Sequence, residues 1–218
     1  YVNRFIDLQK KYNFAIIEVH NRPSYINILS KKLDNKIFSL FFHNDPLSMD
    51  GSKTVNDRKK LLKTCHKIIF NSNWSKKRFL EGLENKFINS DKLVVFFQSA
   101  EKKRQNIIKQ KKKWITFVGK LNRAKGYDVF SKAIKKVLNK HPDWKAKIIG
   151  DEKREKIILN HKNADILGFL NHEKTLDIFK KTSIAVACSR WEEPFGRTSL
   201  EASANGCAVI ITNKGGLP

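Results

Sequence analysis

Residues 184–212 read IAVACSRWEEPFGRTSLEASANGCAVIIT. The run Ile184–Cys188 is apolar throughout, and a turn-like stretch with Pro194 and Gly196 follows it. Thr198–Asn205 then has helical character, Gly206 ends it, and a second apolar run spans Ala208–Thr212. Strands covered on both faces read as continuous apolar runs and not as strict alternation. Strand, helix and strand in this order predict an α/β domain with an open parallel sheet under helices.

The same alternation extends upstream. Trp114–Val118, Ala146–Ile149 and Asp165–Leu167 are predicted strands, and Lys174–Lys181 a helix. A helix is also predicted over Tyr127–Leu138, where Val129, Phe130, Ala133, Ile134, Val137 and Leu138 share one face. In the first half, strands are predicted at Phe14–Val19, Ile37–Phe42, Lys67–Phe70 and Leu93–Phe97. Helices are predicted over Arg58–Thr64 and Ser75–Leu83, the latter starting with Ser72 or Asn73 as its cap. Between the halves, Ala100–Lys113 is almost entirely charged or amide, and so dense a block of like charge belongs outside a core. The predicted organisation is a partial Rossmann-like domain over 1–98, a charged linker over 99–113 and a second Rossmann-like domain over 114–218. Each is a doubly wound parallel sheet.

Length and composition bound the function. The 218 residues suffice for two domains of about 100 residues. Lys and Arg number 44 against 21 Asp and Glu, a formal net charge of +23. Of the 44, 35 are lysine, whereas nucleic-acid readers favour the bidentate fork of arginine. No helix-turn-helix pattern, RNP-like strand or C-x2-C finger is present. A nucleic-acid partner is therefore not expected. The charge suits an anionic substrate, an anionic membrane surface or a merely solvated face. No apolar run approaches the ~18 residues of a membrane helix, and the first residues do not resemble a signal peptide. Cys65, Cys188 and Cys207 form no C-x-x-C pair, which predicts reduced, buried thiols in a cytosolic protein. No Cys/His cluster has metal-ligand spacing, so no metal is expected. The chain opens without Met on a helix-like stretch and stops at Gly215-Gly216-Leu217-Pro218. A piece cut at both ends is expected.

In an open parallel sheet, ligands bind beyond the carboxyl ends of the strands, and four stretches sit there. Gly119-Lys120-Leu121-Asn122-Arg123-Ala124-Lys125-Gly126 links a strand to a helix. Its glycines let a ligand approach the backbone, and its cations suit a phosphate or diphosphate at a helix start. A plain lysine-rich loop is the alternative. In Ser189–Ala202, Glu193 lies in a turn and Glu201 seven intervening residues later. Two carboxylates there suit sugar hydroxyls, since an ionised carboxylate only accepts hydrogen bonds. Helix-dipole stabilisation and a salt bridge are the alternative roles. His20 and His43 each follow an apolar run, and either could meet a substrate or serve the fold. Gly215-Gly216 follows the last strand, as a ligand-facing loop or a plain turn.

Together these motifs resemble a family. EPFGRTSLEA from Glu193 to Ala202, followed by NGCAVI and GGLP, is similar to the E-x7-E signature of retaining GT-B glycosyltransferases of family 4. VGKLNRAKG resembles that family's VGRL…KG element, Gly150-Asp151 its strand-end GD, Leu167-Gly168-Phe169 its LGF, and Ile69–Phe79 a stretch late in its first domain. The resemblance implies two Rossmann-like domains facing each other across a cleft. It implies a nucleotide-sugar donor, no cofactor or metal, and transfer to a glycan or lipid-linked acceptor with retention of configuration. Cell-envelope polysaccharide or lipopolysaccharide synthesis would be the setting, on the inner face of the cytoplasmic membrane. By resemblance, Gly119, Lys120 and Lys125 meet the diphosphate, Glu201 the ribose and Glu193 the sugar hydroxyls. Phe195, Gly196 and Arg197 would offer backbone amides, the loop at Gly168 and Phe169 would line the base, and His43 would contact the sugar. His43, Glu193 and Lys125 are the implied catalytic residues. Lys120 stands where the family usually has Arg, which keeps the charge but loses the fork; Arg123 could substitute. The family's glycine-rich first loop and its crossing C-terminal helix are not in the sequence, so these 218 residues alone are expected to be inactive or badly impaired. A nucleic-acid-binding protein, or an epimerase or hydrolase on the same scaffold, are the competing readings.

Overall fold

The structure, a computed structural model, describes residues 1–101 and 111–218. Most of the predicted linker, residues 102–110, therefore lies outside the described residues. The chain divides into two units, Tyr1–Gln98 and Ser99–Pro218.

The first unit runs α1 (Val2–Tyr12), β1 (Ile16–His20), α2 (Pro23–Leu29), β2 (Ile37–Phe42), α3 (Val55–Thr64), β3 (Lys67–Phe70), α4 (Asn73–Leu80) and β4 (Leu93–Val95). Its sheet has the order β1-β2-β3-β4, with every neighbour parallel. Phe42, Phe70 and Phe79 are fully buried, with ring centroids 5.3–5.7 Å apart. Burial of each such side chain stabilises by about 1.5–3 kcal/mol.

The second unit runs β5 (Lys112–Val118), α5 (Tyr127–Lys140), β6 (Lys145–Ile149), β7 (Ala164–Ile166), α6 (His172–Lys181), β8 (Thr182–Ala187), α7 (Arg197–Ala204) and β9 (Ala208–Ile211). The order is β7-β6-β5-β8-β9, again all parallel. Its first strand is central. The chain builds outward through β6 and β7, then crosses to β8 and β9 on the other side. The reversal falls between β5 and β8, the topological switch point beyond which sheets of this kind bind their ligands.

Several predicted bounds shift by a few residues, among them the helix predicted over Ser75–Leu83, which runs Asn73–Leu80, and three differences have a clear physical reason. The strand predicted over Leu93–Phe97 ends at Val95. The pairing with β3 runs out there: the Phe96 amide still donates to the carbonyl of Phe70, the last residue of β3, at 2.8 Å, and Phe96 and Phe97 are exposed. Lys112 and Lys113, assigned to the linker, are the first residues of β5. Just before them, the Lys111 ammonium donates to the carbonyls of Phe179, Lys180 and Asn205. A cation is thus held where α6 and α7 end, at the negative ends of their dipoles. Finally, α2 is absent from the sequence reading. It opens on Pro23 at its first position and has no acidic first turn or basic last turn to mark it.

Candidate functional site

The two loops at the β5/β8 switch point are locked together through backbone. The amides of Arg190 and Trp191 both donate to the Ala124 carbonyl, at 2.9 and 3.3 Å. Gly126 has φ 72°, and a Cβ there would stand 1.9 Å from the Cys188 carbonyl oxygen. Only glycine can occupy that position. Asn122 organises the first loop from within: its Oδ1 accepts from the Lys125 amide at 3.0 Å, and its carbonyl accepts from the Tyr127 amide at 3.1 Å. The next strand ends join this floor. The Gly119 amide donates to Ile149 at 3.0 Å, and the Gly150 amide to Gly168 at 2.8 Å.

Two helices start at this mouth. α5 is entered through Gly126 and α7 through Gly196, both left-handed and neither with a side-chain cap. Without a side-chain cap these starts keep their positive dipole ends open to an anion, although the Tyr127 amide that opens α5 is already given to the Asn122 carbonyl.

Between the helix starts, the Lys125 ammonium pairs with Glu193 Oε1 and lies 5.1 Å from the Trp191 ring centroid. The Ser189 hydroxyl donates to the same Glu193 oxygen at 2.6 Å. Burial pushes the Glu193 carboxyl up, but its bonds from Lys125 and Ser189 outweigh this and hold it below the usual carboxylate range. The Glu193 backbone is held too. Its carbonyl accepts from the Gly216 amide at 2.6 Å, and a Cβ on Gly215 would stand 2.1 Å from that carbonyl. The paired glycines after β9 thus seat the acidic residue.

Glu201 lies one helix face further along. Its Oε1 accepts from His172 Nε2 at 3.0 Å and from Arg197 Nε at 2.8 Å. Its side chain is only 12% exposed, and Oε2 has no partner among the described residues. That oxygen is a fixed, ionisable acceptor with room for one more donor.

The structure thus gathers Gly119, Lys125, Glu193, Gly196, Arg197 and Glu201 at the carboxyl edge of one sheet. Gly168 lies at the same edge, with open space where a Cβ would be, and the Phe169 side chain is exposed beside it. Phe195 is half-buried in the turn before α7. Lys120 is exposed. Arg123, the suggested substitute for it, is engaged elsewhere: its Nε lies 3.2 Å from Glu155 Oε1. With Arg190, it lines a separate groove of about 530 Å³ beside α5. The Arg197 side chain serves Glu201, which leaves its backbone for a ligand.

Sequence reasoning missed Ser189, Trp191 and His172 as site residues. Ser189 carried a signal, since it directly follows a strand that ends at the switch point. His172 carried none, because it meets Glu201 across 29 residues of sequence.

In the first unit, His43 is half-buried beyond β2, and its Nε2 lies 2.9 Å from Nδ1 of His20 at the end of β1. Burial, with His20 beside it, pulls the His43 pKa below the usual histidine value, so the ring is neutral near pH 7.

Among the described residues no group of three or more His, Cys, Asp or Glu could hold a metal ion, and no helix is long and apolar enough to cross a membrane. Cys65 and Cys207 are buried and Cys188 half-buried, all as free thiols. Burial raises the Cys65 thiol to about 12 and that of Cys207 to about 11.

Comparison with known proteins places this geometry. The family model for glycosyl transferases group 1 matches residues 98–218. Spore coat protein SA of Bacillus subtilis is 27% identical over 235 residues, covering 96% of this chain and 62% of its own length. The lipopolysaccharide core biosynthesis mannosyltransferase LpsB of Rhizobium meliloti is 30% identical over 129 residues, covering 55% of this chain and 36% of its own. The crystal structure of HepE from Anabaena in complex with UDP-glucose has a TM-score of 0.73 at 16% identity, covering 99% of this chain and 64% of that one. The chain spans 56–62% of the length of the first curated relatives it matches. The two parallel sheets are those of the GT-B fold, and the chain belongs to the glycosyl transferases group 1.

Proposed function

We propose that the protein transfers a sugar from a nucleotide-sugar donor to a glycan or lipid-linked acceptor, with retention of configuration. The observation that carries this reading is the cluster at the β5/β8 switch point. Two glycine-entered helix starts and the Lys125 ammonium meet there with two carboxylates that only accept hydrogen bonds. Cations and helix starts suit a diphosphate, and carboxylates suit hydroxyls. One molecule that carries both is a nucleoside diphosphate sugar.

In this reading the Glu201 Oε2 accepts from the ribose and Glu193 from the transferred sugar. Gly168 and Phe169 flank the base. As the bond to the diphosphate breaks, negative charge grows on the leaving oxygen. Lys125 and the amides opening α7 face that charge without reorganising, which lowers the barrier electrostatically. Chain groups supply this positive charge, so no metal is required, and transfer is expected to persist in a chelator. By the family resemblance, His43 contacts the sugar. The name of the R. meliloti relative supports a place in lipopolysaccharide or other envelope-glycan synthesis. The formal charge of +23 supports work at the anionic inner face of the cytoplasmic membrane.

Calorimetric titration of UDP-, GDP- and ADP-sugars against the protein and its Glu201→Ala variant tests the reading. One donor is expected to bind, with affinity falling about tenfold or more in the variant, the effect of losing a charged hydrogen-bond acceptor. Absence of binding to every donor, with salt-sensitive binding to nucleic acid instead, overturns it. The anomeric configuration of the product, read by NMR, decides retention. Salt-dependent binding to anionic vesicles tests the membrane surface.

A further inference from the structure

The two strand-end histidines of the first unit form a directional chain of contacts. His43 is fixed at its backbone: its amide donates to Asn21 Oδ1 at 2.8 Å, and its carbonyl accepts from Asn71 Nδ2 at 2.8 Å. The His20 ring is held by stacking on Phe41, centroids 4.7 Å apart and planes 11° apart. Between the rings, His20 Nδ1 and His43 Nε2 are 2.9 Å apart. At one end, Gln98 Nε2 lies 3.3 Å from His43 Nδ1. At the other, Glu18 Oε2 lies 3.6 Å from His20 Nε2, an electrostatic contact longer than a hydrogen bond.

With the Gln98 amide assigned so that its nitrogen faces His43 Nδ1, proton accounting along this chain has one consistent solution. A side-chain amide nitrogen only donates, so His43 Nδ1 must accept. The proton of the neutral His43 ring then sits on Nε2 and is donated to His20 Nδ1. The His20 proton in turn sits on Nε2, and the Glu18 carboxylate favours it there. The assignments made from the two ends agree.

We propose that His20, backed by Glu18, is a positioning residue that fixes His43 in the Nε2–H tautomer. His43 Nδ1 is thereby a lone-pair acceptor for a sugar hydroxyl, and the Gln98 amide occupies it until a ligand does. The assignment of the hydroxyl rests on the proposed sugar-facing role of His43; the tautomer does not. The chemistry follows from which atom holds the proton. An Nδ1 lone pair takes a proton or a hydrogen bond from a hydroxyl, whereas an Nδ1–H could only donate to it.

Long-range ¹H–¹⁵N NMR of the imidazole rings tests the tautomer without reference to activity. In the 218-residue chain, His43 is expected to show a protonated Nε2 and an unprotonated Nδ1. His20→Phe keeps the stack on Phe41 but removes the acceptor, and His43 is expected to lose that single-tautomer pattern. His20→Asn offers a side-chain oxygen in place of Nδ1 and is expected to retain it. Because the His20 ring is half-exposed, His20→Ala serves if the Phe variant misfolds. An Nδ1–H tautomer in the parent chain, or an unchanged pattern in both His20→Phe and His20→Ala, overturns the proposal. In sugar transfer, His20→Phe is expected to lower kcat about tenfold or more, as misassigned tautomers do. The donor KM should change much less, and His20→Asn should restore most of the rate. Full transfer by His43→Ala would overturn the sugar-facing reading of His43 and leave the tautomer result to stand separately.

Discussion

Four helices of this chain, two in each unit, begin in contrasting ways, while α6 in the second unit is capped by Asn171, whose Oδ1 accepts from the Lys174 amide at 2.9 Å. In the first unit, α3 starts at Thr54, whose hydroxyl accepts from the Asp57 amide at 3.0 Å while the Asp57 carboxylate accepts from the Thr54 amide at 3.2 Å. α4 starts at Ser72, whose hydroxyl accepts from the Ser75 amide at 3.1 Å. In the second unit, α5 and α7 start at Gly126 and Gly196 with no side chain over their amides. A Ser or Thr cap uses a free donor locally and closes the helix end. A glycine start is only a few tenths of a kcal/mol less stable than such a cap, yet it leaves the positive end open. The open starts stand at the switch point of the second sheet, where a ligand would approach. The first unit instead presents side chains at its sheet edge, the histidine pair.

The strongest way to break this contrast is to fill the space that the open starts require. Gly126→Val would place a Cβ against the Cys188 carbonyl at a left-handed backbone position. It is expected to destabilise the second unit by about 3 kcal/mol or more, read as a fall in the urea midpoint of tryptophan fluorescence. An unchanged midpoint would mean that the β5 and β8 loops are not locked as described.

Much of this architecture was legible because it is local. Ile37–Phe42 and Lys67–Phe70 were read with the observed bounds. The motif from Ile184 to Thr212 has its strand, turn, helix and strand within two residues of the observed ones, because apolar runs and Gly206 punctuate it. Lys125 and Glu193 were legible as separate motifs but not as an ion pair, since they stand 68 positions apart in sequence. Arg58 shows the limit of pattern. In sequence it is one more charge on a helix. In the fold it is buried and donates to the carbonyls of Ser52, Lys53 and Glu81. Such contacts depend on which strands and loops neighbour each other, and periodicity carries no trace of that.

The pair at the open mouth gives the next largest effect. A double-mutant cycle on Lys125→Met and Glu193→Gln is expected to show a coupling of about 1–2 kcal/mol in unfolding free energy, modest because Lys125 is partly solvated. Additive effects would sink the pairing. Acid should dissect the two units in different windows. Glu193 is held below its ordinary value of about 4.3, so its contribution is present above that pH. It is lost as the pH falls through the lower folded-state value. His43 is also held below its ordinary value of about 6.5. There the unfolded chain takes up a proton that the folded ring resists, so stability begins to fall as pH drops below about 6.5. Removing the His43 ring with His43→Asn should flatten the upper part of the stability curve and leave the lower part. Glu193→Gln should do the reverse.

The smallest expected effect tests the premise of the comparison itself. If caps close the starts of α3 and α4, Thr54→Ala should cost about 1 kcal/mol, because the Asp57 amide loses its acceptor. Thr54→Gly should cost only a few tenths, because a glycine start lets water reach the exposed amides. The two variants remove the same hydroxyl, so their difference isolates what a glycine start does. A small loss for Gly beside a larger one for Ala would mean that the glycine starts of α5 and α7 are tolerated for reasons internal to helices, and that their open amides carry little penalty until an anion arrives. Equal losses in urea denaturation would instead make the hydroxyl the whole of the cap. The open starts of the second unit would then be a real destabilisation, one that a bound diphosphate would have to offset, and its addition should raise the stability of that unit accordingly.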